Sequence, residues 1–399
     1  MMMKRTERAV LQILKEILNK KDVSLSADVD ISALYEELRV HSLVALAYPK
    51  MKGYLTADSE IAGKWLEKFA QQTYHWARMM EAQKALTDLL QEKGHVHAIL
   101  KGSANGVYFP SPQLRYSGDI DFLVRWEEFE EIYQLLLENG YQLVGGKNDT
   151  KHHVELRKNS VIFEMHKCPG GCRINDIPED QEILQFFQEG LNSIKMVQCG
   201  KYTIPMFSNL QNAMVLLLHT AQHLQGGLGL RHILDWMMFA KEEVDDDLWF
   251  TQLESIAKKG KVYTLAKVMT KMCQKYLGMT QKITWCQDAD DELCDMLMEY
   301  VFQQGDFGTK AGEKDAEVRV LTDVQKSGGF IRRFKDSSLY SMPIARKYKF
   351  LLPVAWIYQL FRYATRWIMR EHPLRTFRQN RKTAKKRAKF FKELGINRD

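Results

Sequence analysis

The chain has 399 residues, of which 45% are hydrophobic and 27% are charged, as in an ordinary folded protein of two or three domains. Its six cysteines follow no regular framework, which argues against a disulfide scaffold and for a reducing compartment. No apolar run approaches the ~20 residues that span a bilayer, and the first residues lack the apolar core of a signal peptide. We therefore expect a cytoplasmic protein, or at most one that is peripheral at the inner face of the cytoplasmic membrane.

Charge is unevenly distributed along the chain. Residues 330–399 contain 19 Lys or Arg against 4 Asp or Glu, a net charge of +15. Because the whole chain carries +7, residues 1–329 carry −8. An acidic body is therefore followed by a strongly basic tail.

The first half of the chain predicts helices followed by a small sheet. Residues 1–93 form an N-terminal helical region that ends at Lys93-Gly94. Residues 94–178 contain short apolar runs typical of buried strands, at 96–100 and 120–124, with a helix at 127–139 closed by Gly140. Two more strands, near 153–156 and 160–166, are expected to form a hairpin with Arg157-Lys158-Asn159 as its turn.

The second half is expected to be helical throughout. Residues 179–304 form a helical domain that completes the cleft, with helices from the capping residue Ser208 to Leu224 and from Leu228 to Ala240. Five glycines make residues 305–345 a linker, and residues 346–399 form a basic amphipathic helical tail. The fold class is thus α+β, a small mixed-sheet core flanked by N-terminal helices and a C-terminal helical domain.

The residues with the clearest chemistry lie in the core. Asp119 and Asp121 stand two apart on a predicted strand, so their side chains share one face, and Glu164 lies on a later strand. Carboxylates that close repel each other unless a cation lies between them, and hard oxygen ligands suit Mg²⁺ or Mn²⁺. The turn Gly102-Ser103 precedes a helix and offers backbone N–H groups to a phosphate. Together these features predict a site for transferring a nucleotidyl group.

These motifs also carry a resemblance. They read Leu100-Lys101-Gly102-Ser103, Arg115, Gly118-Asp119-Ile120-Asp121 and Phe163-Glu164-Met165-His166. Over roughly residues 95–245 the chain resembles the nucleotidyltransferase superfamily that includes DNA polymerase beta, and within it the bacterial nucleotidyltransferase family 5. The resemblance implies transfer of a nucleoside monophosphate from a nucleoside triphosphate, with ATP the expected one, to an unidentified hydroxyl or phosphate acceptor, with release of pyrophosphate.

The resemblance also implies roles for individual residues. Asp119, Asp121 and Glu164 would be catalytic and would bind Mg²⁺ or Mn²⁺. The nucleotide would be bound by Lys101, Gly102, Ser103, Arg115, Arg231 and His166. Plain structural roles stay open for Lys101, Arg115 and His166, and Asp235 is expected to pair with Arg231.

Other histidines and cysteines leave alternatives open. The spacing of His166, Cys168 and Cys172 is loose for zinc, and a glycine-rich turn explains it without metal. His219 and His223 stand at i and i+4 on one helix face, where they would line the nucleotide cleft or simply pack. His152-His153 opens a strand, and a ring that faces the cleft stays open here beside a plain structural role for both histidines.

Two other functions compete with catalysis. One is a non-catalytic nucleotide-binding or regulatory protein, such as half of a toxin–antitoxin pair, and the other is a membrane-surface scaffold. An apolar and aromatic face over 348–361, followed by Arg362, Arg366 and Arg370, suits an anionic membrane surface. Docking of this helix on the protein body is an equal alternative. The basic run 375–392 suits nucleic acid less well, because no sequence-reading motif accompanies it.

Overall fold

The structure is a computed structural model that describes residues 3–26, 28–56, 59–144, 153–172, 178–280, 283–310, 318, 321–322, 338, 341–342, 344, 349–368 and 373–396. Its contacts divide the chain into two compact units, Met1–Lys310 and Ala311–Asp399. The helices of the first unit are α1 Arg5–Leu18, α2 Ile31–Val40, α3 Val44–Met51, α4 Glu60–Glu92, α5 Ser103–Gly106, α6 Phe129–Glu138, α7 Pro178–Gly190, α8 Asn209–Gly226, α9 Leu230–Glu243, α10 Asp246–Leu248, α11 Glu254–Lys259, α12 Tyr263–Met272 and α13 Asp291–Gln304. Its strands are β1 His97–Ile99, β2 Ile120–Val124, β3 Gln142–Leu143, β4 His153–Lys158, β5 Val161–His166, β6 Lys195–Cys199 and β7 Tyr202–Met206.

The seven strands form one mixed sheet in the order β3-β4-β5-β2-β1-β7-β6. β2 is parallel to β5 and β1 is parallel to β7, whereas the other neighbours are antiparallel. This sheet and its flanking helices confirm the predicted α+β fold.

The core lies against one face of this sheet. Ile120, Phe122 and Val124 alternate along β2 and join a buried apolar cluster with residues of β5 and of helices α4 and α6. Because side chains alternate across a strand, Asp121 must point to the opposite face. Burial of one face thus decides which residues of β2 are available for chemistry.

Helix α4 closes the core side of the sheet. Ser59 caps its first turn by accepting a hydrogen bond from the N–H of Ala62, and the helix stops before Gly94, whose φ is +80°. Met79, Met80 and Leu86 from its buried side enter the core cluster. The same helix carries His75 and Gln83, and both side chains line a cleft at the edge of the core.

Strands β6 and β7 correct the expectation that the chain stays helical after residue 179. They form an antiparallel hairpin through Gly200, with φ +62°, and β7 joins the sheet by pairing Ile99 with Met206. The turn between β4 and β5 also differs from the prediction. It is formed by Asn159 and Ser160, both at positive φ (49° and 61°), while Arg157 and Lys158 remain in the strand. Two central residues at positive φ match the twist of a hairpin, which explains the shift.

Two amphipathic elements define the described part of the second unit: α14 Leu352–Ile368 and α15 Pro373–Glu393. The predicted linker, 305–345, lies for most of its length outside the described residues. Across the ranges given above, no helix is both long enough and apolar enough to cross a membrane.

The loop after β5 passes very close to α8. Gly171 has φ +90°, and a Cβ at this position would lie 2.3 Å from the carbonyl oxygen of Leu218. Only glycine tolerates both the left-handed backbone and so close an approach. The end of β5 is thereby held against the helix that completes the cleft.

Gly171→Ala should lower the free energy of unfolding by about 3 kcal/mol or more, because alanine adds both strain at positive φ and a clash with Leu218. The matched control is Gly140→Ala, whose φ is +81° but whose Cβ would meet no atom within 4 Å. That change should cost only about 1 kcal/mol. Chemical denaturation of both variants measures the difference, and equal losses would show that the loop does not press on α8.

Candidate functional site

Three carboxylates converge where β2 and β5 run side by side. The parallel register pairs Asp121 with Glu164, so the two side chains project from the same face of the sheet. Asp119 immediately precedes β2, and one oxygen from each of Asp119, Asp121 and Glu164 lies within 4.8 Å of the others. The structure therefore brings together the three acids that the sequence singled out.

Two basic groups lie against these acids. The Nζ atom of Lys101 is 3.1 Å from Oδ1 of Asp121. The Nε2 atom of His166 lies 3.0 Å from the same oxygen and 3.2 Å from Oε2 of Glu164. Lys101 and His166 thus offset the charge of carboxylates that would otherwise be buried together.

The pKa values of Asp121, Glu164 and His166 are shifted by these contacts. Burial by itself would raise the pKa of Asp121, but the charge of Lys101 and the hydrogen bond with His166 outweigh burial and lower it. Burial also works against ionised Glu164, yet His166 and Lys101 lower its pKa to about 2. Conversely, burial disfavours charged His166, while its hydrogen bonds to Asp121 and Glu164 raise its pKa to about 9. At neutral pH the imidazolium and both carboxylates are charged.

Asp119 behaves differently from its neighbour. Burial and the charge of Asp121 raise the pKa of Asp119, and only Lys101 and Arg231 oppose them. A carboxylate that is forced towards protonation by its neighbours is the group that a divalent cation would stabilise most.

The donor set fits a hard divalent cation. Oδ2 of Asp121 is buried and has no hydrogen-bond partner among the described residues, although its other oxygen has two. A buried oxygen without a partner costs about 1–3 kcal/mol, which an ion would recover. Three carboxylates supply the hard oxygen ligands that Mg²⁺ or Mn²⁺ prefer.

The Gly102-Ser103 turn borders the same cleft. Gly102 has φ +67°, and a Cβ there would lie 2.8 Å from Oγ of Ser117. Ser103 begins the short helix α5, and its hydroxyl donates a hydrogen bond to Gln83 of α4. Glycine therefore fits this left-handed turn beside Ser117, and phosphate binding there stays a prediction.

The two arginines are both held in buried ion pairs. Arg115 donates from Nε and from one terminal nitrogen to the two oxygens of Asp235, at 3.0 and 2.6 Å. Arg231 donates to Asp306 instead, from Nε at 3.1 Å. The expected pairing of Asp235 with Arg231 is therefore wrong, because a bidentate contact with a distant residue is stronger than a pairing between successive turns of one helix. Nucleotide contacts of both arginines remain predictions.

Histidines form the side of the cleft that faces Lys101. Nζ of Lys101 donates to Nε2 of His219 at 3.1 Å. Nε2 of His223 also lies next to Nε2 of His219, at 2.9 Å. His232 of α9 packs beside both rings. Burial, together with the nearby cations, lowers the pKa of all three imidazoles, to about 4 for His223, so they are neutral.

The structure does not bring His166, Cys168 and Cys172 together as metal ligands. His166 contacts acids rather than thiols, and among the described residues no group of metal-ligating atoms includes Cys168 or Cys172. His152 lies outside the described residues, whereas the ring of His153 lies 5.0 Å from that of His166, centroid to centroid. His153 therefore borders the acidic site.

Sequence reasoning missed several residues of this region. Gln83 holds Ser103, and Nε2 of His75 lies 2.7 Å from the carbonyl oxygen of Ser117. Asp306, which pairs with Arg231, lies at the start of the segment predicted to be a linker. Nothing local in the sequence marks these residues, because their partners are far away along the chain.

Comparisons with known proteins agree with this geometry. A family model described as uncharacterised nucleotidyltransferase matches residues 27–278, which include the whole sheet and every carboxylate of the site. No curated protein and no solved structure matches the chain. The resemblance seen in the motifs is confirmed, and it supports a general nucleotidyltransferase role. The chain belongs to the uncharacterised nucleotidyltransferase family.

Proposed function

We propose that the protein transfers a nucleoside monophosphate from a nucleoside triphosphate, ATP being the expected one, to a hydroxyl or phosphate acceptor. The observation that carries this proposal is the pairing of Asp121 with Glu164 across parallel strands, which gathers three carboxylates. One of their buried oxygens, Oδ2 of Asp121, has no hydrogen-bond partner among the described residues. In the transfer, an acceptor oxygen forms a bond to the α-phosphorus as the bond to pyrophosphate breaks.

Asp119, Asp121 and Glu164 would hold the divalent cation. Such ions, Mg²⁺ or Mn²⁺, when bound, stabilise the attacking and leaving oxygens of an in-line displacement. Of the two acids paired in register, Glu164 has the more exposed side chain, 23% against 0% for Asp121. We therefore assign Glu164 to accept the proton when the acceptor is a hydroxyl.

The phosphates are assigned to the Gly102-Ser103 turn, which lines the same cleft as Asp119. Gly102 allows close approach of a phosphate to the backbone, and Ser103 adds a hydroxyl at the start of α5. The ammonium of Lys101 lies between the acids and the histidines, so it can neutralise phosphate charge while it keeps its contact with Asp121. His166 holds the oxygens of Asp121 and Glu164 in place, which makes it a positioning residue.

Asp121→Asn should reduce nucleotidyl transfer by about 100-fold or more, the scale for losing one electrostatic contact to a transition state. The assay incubates the purified protein with α-labelled triphosphate, Mg²⁺ and a cell extract, and then follows the label into acceptor. Glu155→Gln is the matched control, because Glu155 faces Glu164 in register on β4 but lies outside the carboxylate group.

The control should keep its activity within a few-fold of wild type, and circular dichroism should show that both variants are folded. Full activity of Asp121→Asn would overturn the proposed site. Metal and nucleotide binding by the wild type without any transfer would support a non-catalytic, regulatory protein instead.

A second function concerns the surface of the second unit, and we propose that it binds anionic membranes. Among the side chains of α14 that the structure describes, four apolar ones are more than half exposed, namely Val354, Ile357, Leu360 and Phe361 at 51%, 67%, 54% and 67%. On the same helix the small Ala355 and the polar Gln359 are buried instead. Nine Lys or Arg against one Glu in α15 supply the charge that attracts anionic lipids.

Binding of the full-length protein to phosphatidylserine vesicles should therefore fall with salt but keep a salt-resistant part. Charge attraction is screened over about 8 Å at physiological ionic strength, whereas apolar burial is not. The double change Ile357→Ser and Leu360→Ser should remove the salt-resistant part in vesicle sedimentation. Phe250→Ser is the control, since Phe250 is 58% exposed in the first unit. No binding by the wild type, or equal binding by the double variant, would exclude a membrane role for this face.

A further inference from the structure

Three imidazoles meet between α8 and α9, on the far side of Lys101 from the acids. His219 and His223 lie one turn apart on α8, and His232 lies in the first turn of α9. Their ring centroids are 4.3 Å apart for His223–His232 and His219–His223, and 5.3 Å apart for His219–His232. One nitrogen of each ring lies within 4.8 Å of the others. This is a cluster of converging ligand atoms rather than three separate core histidines.

The nitrogens of His232 have no hydrogen-bond partner within the described part of the chain, and the residue is 1% exposed. Its Nδ1 atom faces Oδ1 of Asp306 at 3.5 Å, beyond good hydrogen-bond geometry. Leaving a buried imidazole unpaired costs about 1–3 kcal/mol. A ligand that engages Nε2 would remove part of this cost.

The distances fit a metal bound by imidazole. A zinc–nitrogen bond of 2.0–2.1 Å places two ligand nitrogens ~3.3 Å apart at the tetrahedral angle. Nε2 of His219 and Nε2 of His223 are 2.9 Å apart, so a shift of a few tenths of an ångström would suffice. These two nitrogens of α8 thus already lie close to the spacing of two zinc ligands, and one nitrogen of His232 on α9 lies within 4.8 Å of a nitrogen of each ring.

The surroundings of His232 follow a pattern common behind metal ligands. A ligating histidine usually directs its other ring nitrogen to a carboxylate, which orients the ring and raises its basicity. Asp306 stands in this place at Nδ1, and it is itself held by Nε of Arg231 and by the hydroxyl of Ser42 at 3.1 and 2.9 Å. The carboxylate is therefore fixed by contacts that do not depend on the histidine.

We propose that His219, His223 and His232 form a second metal site, for a borderline transition metal of the zinc class. Imidazole nitrogens suit zinc and its neighbours, whereas the carboxylates suit Mg²⁺ or Mn²⁺, so the two sites select different ions. Three protein ligands leave a fourth position open, and Lys101 bounds it on the side of the acids.

The cationic side chains next to this site reduce its affinity for a metal ion. Lys101 gives up its hydrogen bond to His219 when that nitrogen binds a metal, but it keeps the contact with Asp121 at 3.1 Å. Arg231 is neutralised by Asp306, and an anionic ligand at the open position, such as hydroxide or a phosphate oxygen, offsets the remaining charge. We therefore expect weaker binding than at a closed four-ligand zinc site.

The test titrates Co²⁺ into chelator-treated full-length protein and records visible absorption. We expect one equivalent with the intense bands of four- or five-coordinate cobalt, which zinc abolishes and excess Mg²⁺ does not. His223→Gln and His232→Gln should each weaken this binding by at least ~100-fold, since even residues behind metal ligands cost 10–100-fold.

Two controls separate this site from others. His95→Gln changes a histidine that pairs with Glu128 elsewhere, and Asp119→Asn disables the carboxylate site, so both should leave the cobalt spectrum unchanged. Loss of the spectrum in Asp119→Asn, or its persistence in His223→Gln, would overturn the proposal.

Because buried histidine variants can fail to fold, X-ray absorption of the zinc-loaded wild type provides a second measurement. Three nitrogen neighbours at about 2.0–2.1 Å are expected. A shell of oxygens alone, or no bound zinc, would exclude the site. Neither measurement requires nucleotidyl transfer. Failure of the proposed metal site can therefore be told apart from failure of the proposed transfer activity.

Discussion

The parallel register of β2 and β5 is the constraint on which the site depends. It sets Asp121 beside Glu164 and at the same time sends Phe122 and Phe163 into the core. Because side chains alternate along a strand, a slip of one residue would turn the acids into the apolar core and the aromatic rings towards the cleft. The burial of the apolar face therefore enforces the arrangement of the acidic face.

The cost of that arrangement is concentrated charge, and neighbouring basic side chains offset it. Lys101 and His166 neutralise the paired acids, and two arginine–aspartate pairs anchor α9: Arg115 with Asp235 and Arg231 with Asp306. Breaking a buried pair leaves one charge uncompensated and costs about 3–5 kcal/mol. The α8–α9 side of the cleft is thus tied electrostatically to the loop before β2 and to residues beyond α13.

Local patterns were sufficient for part of the fold and failed where partners are distant. The β2 strand follows from a short apolar run, and the β4–β5 pair follows from two short segments joined by a turn. The hairpin of β6 and β7 was missed because its short apolar runs lie between helices, where the period is ambiguous. Arg231 stands four positions before Asp235 on one helix, but the partner of Asp235 is Arg115, which lies 120 positions away.

The sequence by itself determined the chemistry of the acidic site. Its Gly-Ser turn, its acid pair on a strand and its third carboxylate are local features, readable because strand alternation and turn conformation depend on neighbouring residues. Only the tertiary structure decided what faces that site. Lys101 meets His219 across 118 positions, and Asp306 reaches Arg231 across 75. Such meetings are set by how helices pack on the sheet, and packing is a property of the whole core, which no local pattern records.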